Sequence, residues 1–155
     1  MVRTSVPCSS RCTAKAWLRD QDRLHEKCVE LQDGFSFVDW LNELNRRVFF
    51  WSGWPDRPVE SGRNARDRYH DSDAIIRFPF RQMANDLTPY FTRCNSGATR
   101  MQHGRRVLRG PRTFLQAMQC DFPPSEVVEV TFVQPVELPH DSEVSLCQDA
   151  LWNIL

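Results

Sequence analysis

Ser36-Phe37-Val38-Asp39-Trp40-Leu41-Asn42-Glu43-Leu44-Asn45-Arg46-Arg47-Val48-Phe49-Phe50-Trp51 is the stretch that decides the fold. Ser36 is suited to accept a hydrogen bond from an amide of a first helical turn. Asp39, a shorter stand-in for the usual Glu, sits at the reciprocal position of a capping box. Phe37, Trp40, Leu41 and Leu44 then recur at helical spacing and form an apolar stripe. At Val48 the pattern changes: four β-branched or aromatic residues in a row suit a buried strand and are too few for a helix. A helix that stops near Arg46 and leads straight into a strand predicts an α+β domain, a small mixed or antiparallel sheet with flanking helices.

Outward toward the C-terminus, Ala74-Ile75-Ile76-Arg77-Phe78 reads as a strand ended by Pro79, residues 80–87 as two helical turns, and Tyr90-Phe91-Thr92-Arg93-Cys94 as another short strand. Val127-Val128-Glu129-Val130-Thr131-Phe132-Val133 is the strongest strand in the chain, and its alternation allows Glu129 to face solvent. Asp141 or Ser142 then caps a final amphipathic helix carrying Val144, Leu146, Cys147, Leu151 and Ile154. Outward toward the N-terminus, Ala14, Trp17, Leu18, Leu24, Cys28 and Leu31 fall near helical spacing, whereas residues 1–15 read as an irregular start. Residues 52–71 and 95–111, rich in Gly, Pro and charge, read as long loops. A single domain over 16–155 is the expectation.

The composition agrees: 155 residues with 41% apolar side chains and 5 Trp leave room for one core. No apolar run approaches the roughly 18–20 residues that span a bilayer, and residues 1–15 lack the apolar block of a secretory signal, so no membrane association and a cytoplasmic location are expected. The six cysteines, Cys8, Cys12, Cys28, Cys94, Cys120 and Cys147, are scattered and read as reduced. No second Cys/His pair at ligand spacing follows Cys8 and Cys12, so no metal site is expected. Phosphate loops of the Walker type, a dinucleotide fingerprint, a metalloprotease His-Glu pair and a nucleophile elbow are all absent from the sequence.

A net charge of zero hides an asymmetry. Residues 87–120 hold no acid and six arginines, Arg93, Arg100, Arg105, Arg106, Arg109 and Arg112. Residues 121–155 hold no Lys or Arg and seven acids. Two readings stand side by side. In one the arginines bind an anion, a diphosphate or a nucleic acid; in the other the two segments are neighbours that neutralise each other.

Several of these segments carry a family resemblance in a fixed order. Leu18-Arg19-Asp20-Gln21, Asp39-Trp40-Leu41 through Leu44-Asn45-Arg46-Arg47-Val48-Phe49-Phe50-Trp51, Asn95-Ser96-Gly97-Ala98-Thr99, and Arg109-Gly110 with Thr113-Phe114 resemble an uncharacterised bacterial family related to the DarT-type ADP-ribosyltransferases. The resemblance covers about residues 16 to 140. It implies an ADP-ribosyltransferase-like fold that takes NAD as a substrate, with a Glu on a late strand as catalytic carboxylate. Glu129, followed by Gln134-Pro135-Val136, matches that position. Asn95, Arg100, Arg105, Arg106 and Arg109 are the corresponding candidates for ribose and diphosphate contacts. Members of that group begin with a strand bearing a Tyr-His-type motif that holds the nicotinamide side of NAD; no such segment precedes Leu18, so the chain reads as lacking that N-terminal part. The alternative is a non-catalytic form of the fold that binds a protein or nucleic acid through the Arg-rich stretch from Arg93 to Arg112.

Overall fold

The computed structural model describes residues 5–7, 15–17, 24–54, 57–58, 60, 64, 74–96, 106–146 and 153–154. In chain order the elements are β1 (Ser5–Pro7), β2 (Lys15–Trp17), β3 (Glu30–Leu31), α1 (Phe37–Asn45), β4 (Val48–Trp51), β5 (Gly53–Trp54), β6 (Arg57–Pro58), β7 (Ala74–Arg77), α2 (Phe80–Met83), β8 (Tyr90–Thr92), β9 (Leu108–Arg109), β10 (Leu115–Gln116), β11 (Glu129–Phe132), β12 (Glu143–Leu146) and β13 (Asn153–Ile154). The chain is therefore α+β, with short helices and small sheets that are antiparallel except for the β3–β9 pair.

α1 begins as its sequence dictates. The Asp39 amide donates to Ser36 Oγ at 3.1 Å and the Ser36 amide donates to Asp39 Oδ2 at 3.0 Å, closing a capping box. A cap of this kind stabilises a helix by about 1 kcal/mol. The hydrogen bonds from Ser36 hold the Asp39 carboxyl below the usual carboxylate range. α1 buries Trp40 completely.

β11 is an inner strand of the sheet ordered β10-β8-β11-β4. It pairs with β4 through Val130↔Phe50 and Phe132↔Val48, and with β8 through Glu129↔Thr92 and Thr131↔Tyr90. Val130 and Phe132 point into an apolar core with Met83 and Val127, packed by Phe50, Phe78, Phe91 and Phe122. Burying a side chain the size of Phe132 contributes on the order of 2 kcal/mol. Glu129 and Thr131 point the other way, and that face is covered too: Arg47, just after α1, donates from Nη1 to Thr131 Oγ1 at 3.5 Å, and all four β11 residues are buried. The period-two alternation is real, but its polar face does not meet water, which corrects the solvent-facing alternative for Glu129.

Where it is described, the C-terminal helix is replaced by strand: residues 143–146 form β12, paired with β7 through Val144↔Ile76 and Leu146↔Ala74, and residues 147–152 lie outside the described set. Glu143 faces Arg77 in that register and accepts from its Nε at 2.5 Å. That cross-strand ion pair and the β-branched Val144 reward pairing, and tertiary context overrides a weak helical periodicity. The Arg77 bond also draws the Glu143 carboxyl below its ordinary range. Asp141, expected as a cap, instead accepts from Gln82 Nε2 at 2.6 Å. The helical reading of residues 14–31 gives way in the same manner to β2, a 3-10 turn at Glu26–Cys28, and β3, with residues 18–23 outside the described set. β1, within the stretch read as irregular, pairs with β2.

Candidate functional site

β11 opens on Glu129, opposite Thr92 at the end of β8. Beyond Thr92 the chain turns sharply: the Cys94 amide donates to Thr92 Oγ1 at 3.4 Å, and the Val128 amide donates to the Thr92 carbonyl at 2.8 Å. The turn brings Ser96 onto the Glu129 side chain. The Ser96 amide donates to Glu129 Oε2 at 3.0 Å and its hydroxyl donates to the same oxygen at 2.6 Å.

Arg109 arrives from a different direction. β9 runs parallel to β3, and the Gln32 amide donates to the Arg109 carbonyl at 2.8 Å. Gly110 permits this close approach, since a Cβ there would lie 2.5 Å from Gln32 Oε1. The Arg109 side chain is buried at 4% exposure, donating from Nη1 to the Val107 carbonyl at 2.7 Å and from Nη2 to the Asn95 carbonyl at 3.2 Å. Its guanidinium carbon lies 5.7 Å from the ring centroid of Trp40, and Trp40 stacks on Phe114 at 5.7 Å with the rings 9° apart. Arg47 packs over Phe114 in turn, at 4.3 Å.

Glu129 is 4% exposed. Burial raises its proton affinity above that of an ordinary glutamic acid, against the opposing pull of the Ser96 hydrogen bonds and the nearby Arg109 charge. Cys94, also buried, lies in the same electrostatic neighbourhood: burial raises its thiol pKa while Arg109 pulls it down. Because the folded Glu129 pKa lies above the unfolded value, its contribution to stability is complete below the ordinary Glu range and is lost as pH rises through the folded pKa. Thermal melts from about pH 4 to about pH 8 should therefore show the wild type losing stability relative to Glu129→Gln as pH rises. A flat or rising difference would contradict this placement of the carboxyl.

Of the candidates singled out from the sequence, Glu129, Asn95 and Arg109 come together. Arg106 is exposed and donates from Nη1 to the Lys27 carbonyl at 2.7 Å. Arg100 and Arg105 lie outside the described residues. The remaining described arginines of the basic stretch are held by the acidic one: Arg112 pairs with Asp121 at 2.7 Å and Arg93 pairs with Glu126. These pairs are solvent-exposed and contribute little energy, but they make the two oppositely charged segments neighbours. Arg109 therefore spends donors on carbonyls of its own chain, which suits a residue that fixes the site's geometry better than one free to clamp a phosphate. From the sequence Ser96 suits either a hydrogen bond to a ribose or, more simply, an Asx-type turn at Asn95-Ser96-Gly97, and neither reading places it on Glu129. Among the described residues, no group of three or more His, Cys, Asp or Glu side chains is placed to hold a metal ion, and no helix is long and apolar enough to cross a membrane.

Residues 3–145 match the model of a family of unknown function, DUF7002. No curated protein and no solved structure matches the chain.

Proposed function

We propose, for a chain that belongs to the DUF7002 family, that the Glu129 cluster is the centre of an ADP-ribosyltransferase-like domain that takes NAD. The observation that supports this reading is the meeting, in one buried cluster, of three residues drawn from separate segments: Asn95, Arg109 and a carboxyl of raised proton affinity, Glu129. In this reaction the bond between nicotinamide and the ribose carbon breaks and nicotinamide leaves with the electron pair. A nucleophilic acceptor then attacks the oxocarbenium-like centre and gives up a proton. Glu129 serves both steps as anion and as proton acceptor, and a pKa moved toward neutrality suits the second. Both Ser96 hydrogen bonds fall on Oε2, so the reading assigns the reacting contact to Oε1. Arg109 positions the Asn95 turn, and the sequence supplies Arg100 and Arg105 as candidates for the diphosphate.

Calorimetric titration with NAD, followed by mass spectrometry of DNA and protein acceptors, tests this. The wild type should bind NAD and transfer ADP-ribose, and Glu129→Gln should keep binding while losing transfer by about 10²-fold or more. Absence of both heat and thermal shift at about millimolar NAD, a concentration at which enzymes ordinarily engage their substrates, would overturn the proposal.

A second reading draws on the closure of the same cluster. A carboxylate 4% exposed and bonded to Ser96 also serves as an anchor, with Arg109 tying the Asn95 carbonyl from the other side. On that reading the chain is a non-catalytic binding module for nucleic acid or protein through residues 93–112. Binding to an oligonucleotide that weakens steeply with salt, without NAD binding, would favour it.

A further inference from the structure

We infer that Ser96 is the positioning residue of Glu129, fixing which way the carboxylate points and how readily it takes a proton; the functional importance of this rests on the proposed role of Glu129. The geometry is two-point. A backbone amide at 3.0 Å and a hydroxyl at 2.6 Å, both from Ser96, converge on one oxygen. Two donors from a single residue on the same oxygen define the plane of the carboxyl group, which a single bond would leave free to rotate.

Ser96 is itself 3% exposed, so its hydroxyl is shielded from bulk solvent and its short bond is made in a low-dielectric setting, where hydrogen bonds to charge are strongest. The serine is held in turn. Asn95, its chain neighbour, gives its carbonyl to Arg109 Nη2 at 3.2 Å, so the turn is restrained from the β9 side as well as by the carboxylate. The charged group whose field acts on Glu129 is Arg109, from β9; Cys94, from the turn after β8, is itself raised by the Glu129 charge. Arg109 and the two Ser96 bonds favour the ionised carboxylate and oppose burial, which favours the neutral acid. The serine hydroxyl is thus one of the influences that pull the Glu129 pKa down against burial.

The test follows the Glu129 side-chain carboxyl carbon by NMR in full-length protein labelled with ¹³C-glutamate, the resonance being assigned by its disappearance in Glu129→Gln. Ser96→Ala and Ser96→Cys both remove the strong hydroxyl donor and keep the backbone one; each should move the Glu129 titration midpoint upward. Ser96→Thr retains a hydroxyl and should leave the midpoint near the wild-type value. Should Ser96→Ala fail to fold, Ser96→Cys, close to serine in volume, carries the measurement. An unchanged or lowered midpoint in the folded hydroxyl-free variants would overturn the inference. NAD titration of the same samples keeps the two ideas apart: a wild type that ignores NAD removes the transferase reading, while the carboxyl titration still reports on Ser96.

Discussion

Arg109→Met is expected to destabilise the folded protein by about 3–5 kcal/mol at neutral pH, and adding Glu129→Gln to it should return a substantial part of that loss. The reason lies in what the guanidinium satisfies. It is 4% exposed, donates to two main-chain carbonyls, packs 5.7 Å from Trp40, and its positive charge favours ionisation of the buried Glu129. Methionine preserves much of the volume but leaves two acceptors without their donor and the carboxylate without its counter-charge. The double variant removes the second fault and not the first, so a coupling of about 1–3 kcal/mol is expected between the two sites. Urea unfolding at constant m-value measures all three proteins. Lowering the pH should shrink the cost of Arg109→Met, because a protonated Glu129 no longer needs the cation. A cost below about 1 kcal/mol, within the range of ordinary surface substitutions, or strict additivity in the cycle, would show that the two charges are not linked.

Much of the fold was legible where local and tertiary preferences agree. The α1 boundaries follow from Ser36, Asp39 and the spacing of Trp40, and β4, β7, β8 and β11 follow from short β-branched and aromatic runs. The two-residue strands β3, β9 and β10 carry too little pattern to be seen, since a pair such as Glu30 and Leu31 has no period. Residues 143–146 show the other limit. Val144 fits either a helical stripe through Cys147 and Leu151 or a strand face shared with Leu146, and the decision falls to Ile76 and Arg77, far away in the chain.

The candidate site divides along the same line. Glu129, Asn95 and Arg109 could be named because each residue type suits a chemistry, but whether Glu129 met water depended on what covers the second face of β11. That cover comes from Ser96 on Glu129 and from Arg47, which bonds Thr131 and packs on Phe114, brought together by packing that no local pattern encodes. The meaning of the charge asymmetry was equally underdetermined. Six arginines followed by seven acids fit an anion site or mutual neutralisation, and the Arg112–Asp121 and Arg93–Glu126 pairs are tertiary facts.

Trp40→Ala is expected to cost about 3–5 kcal/mol, the range for truncating a large buried aromatic, and to unsettle the carboxylate site along with the core. Trp40 is 0% exposed, and its ring is a shared surface, stacked on Phe114 and close to the Arg109 guanidinium. Truncation opens a cavity and also withdraws the aromatic face from a buried cation, so Arg109 loses support without losing its hydrogen bonds. Trp40→Phe separates these effects. It keeps a stackable ring and deletes an indole Nε1 that has no hydrogen-bond partner among the described residues, so removing the donor offsets part of the packing loss and the cost should stay below about 1.5 kcal/mol. Combining Trp40→Ala with Arg109→Met should be less than additive, because each variant already forfeits the contact between them. Urea unfolding ranks the variants, and the Glu129 carboxyl resonance shows whether the damage reaches the site. If Trp40→Ala and Trp40→Phe cost the same, or if the Glu129 titration is untouched by either, the aromatic layer supports the core alone and the geometry around Arg109 is held by its hydrogen bonds.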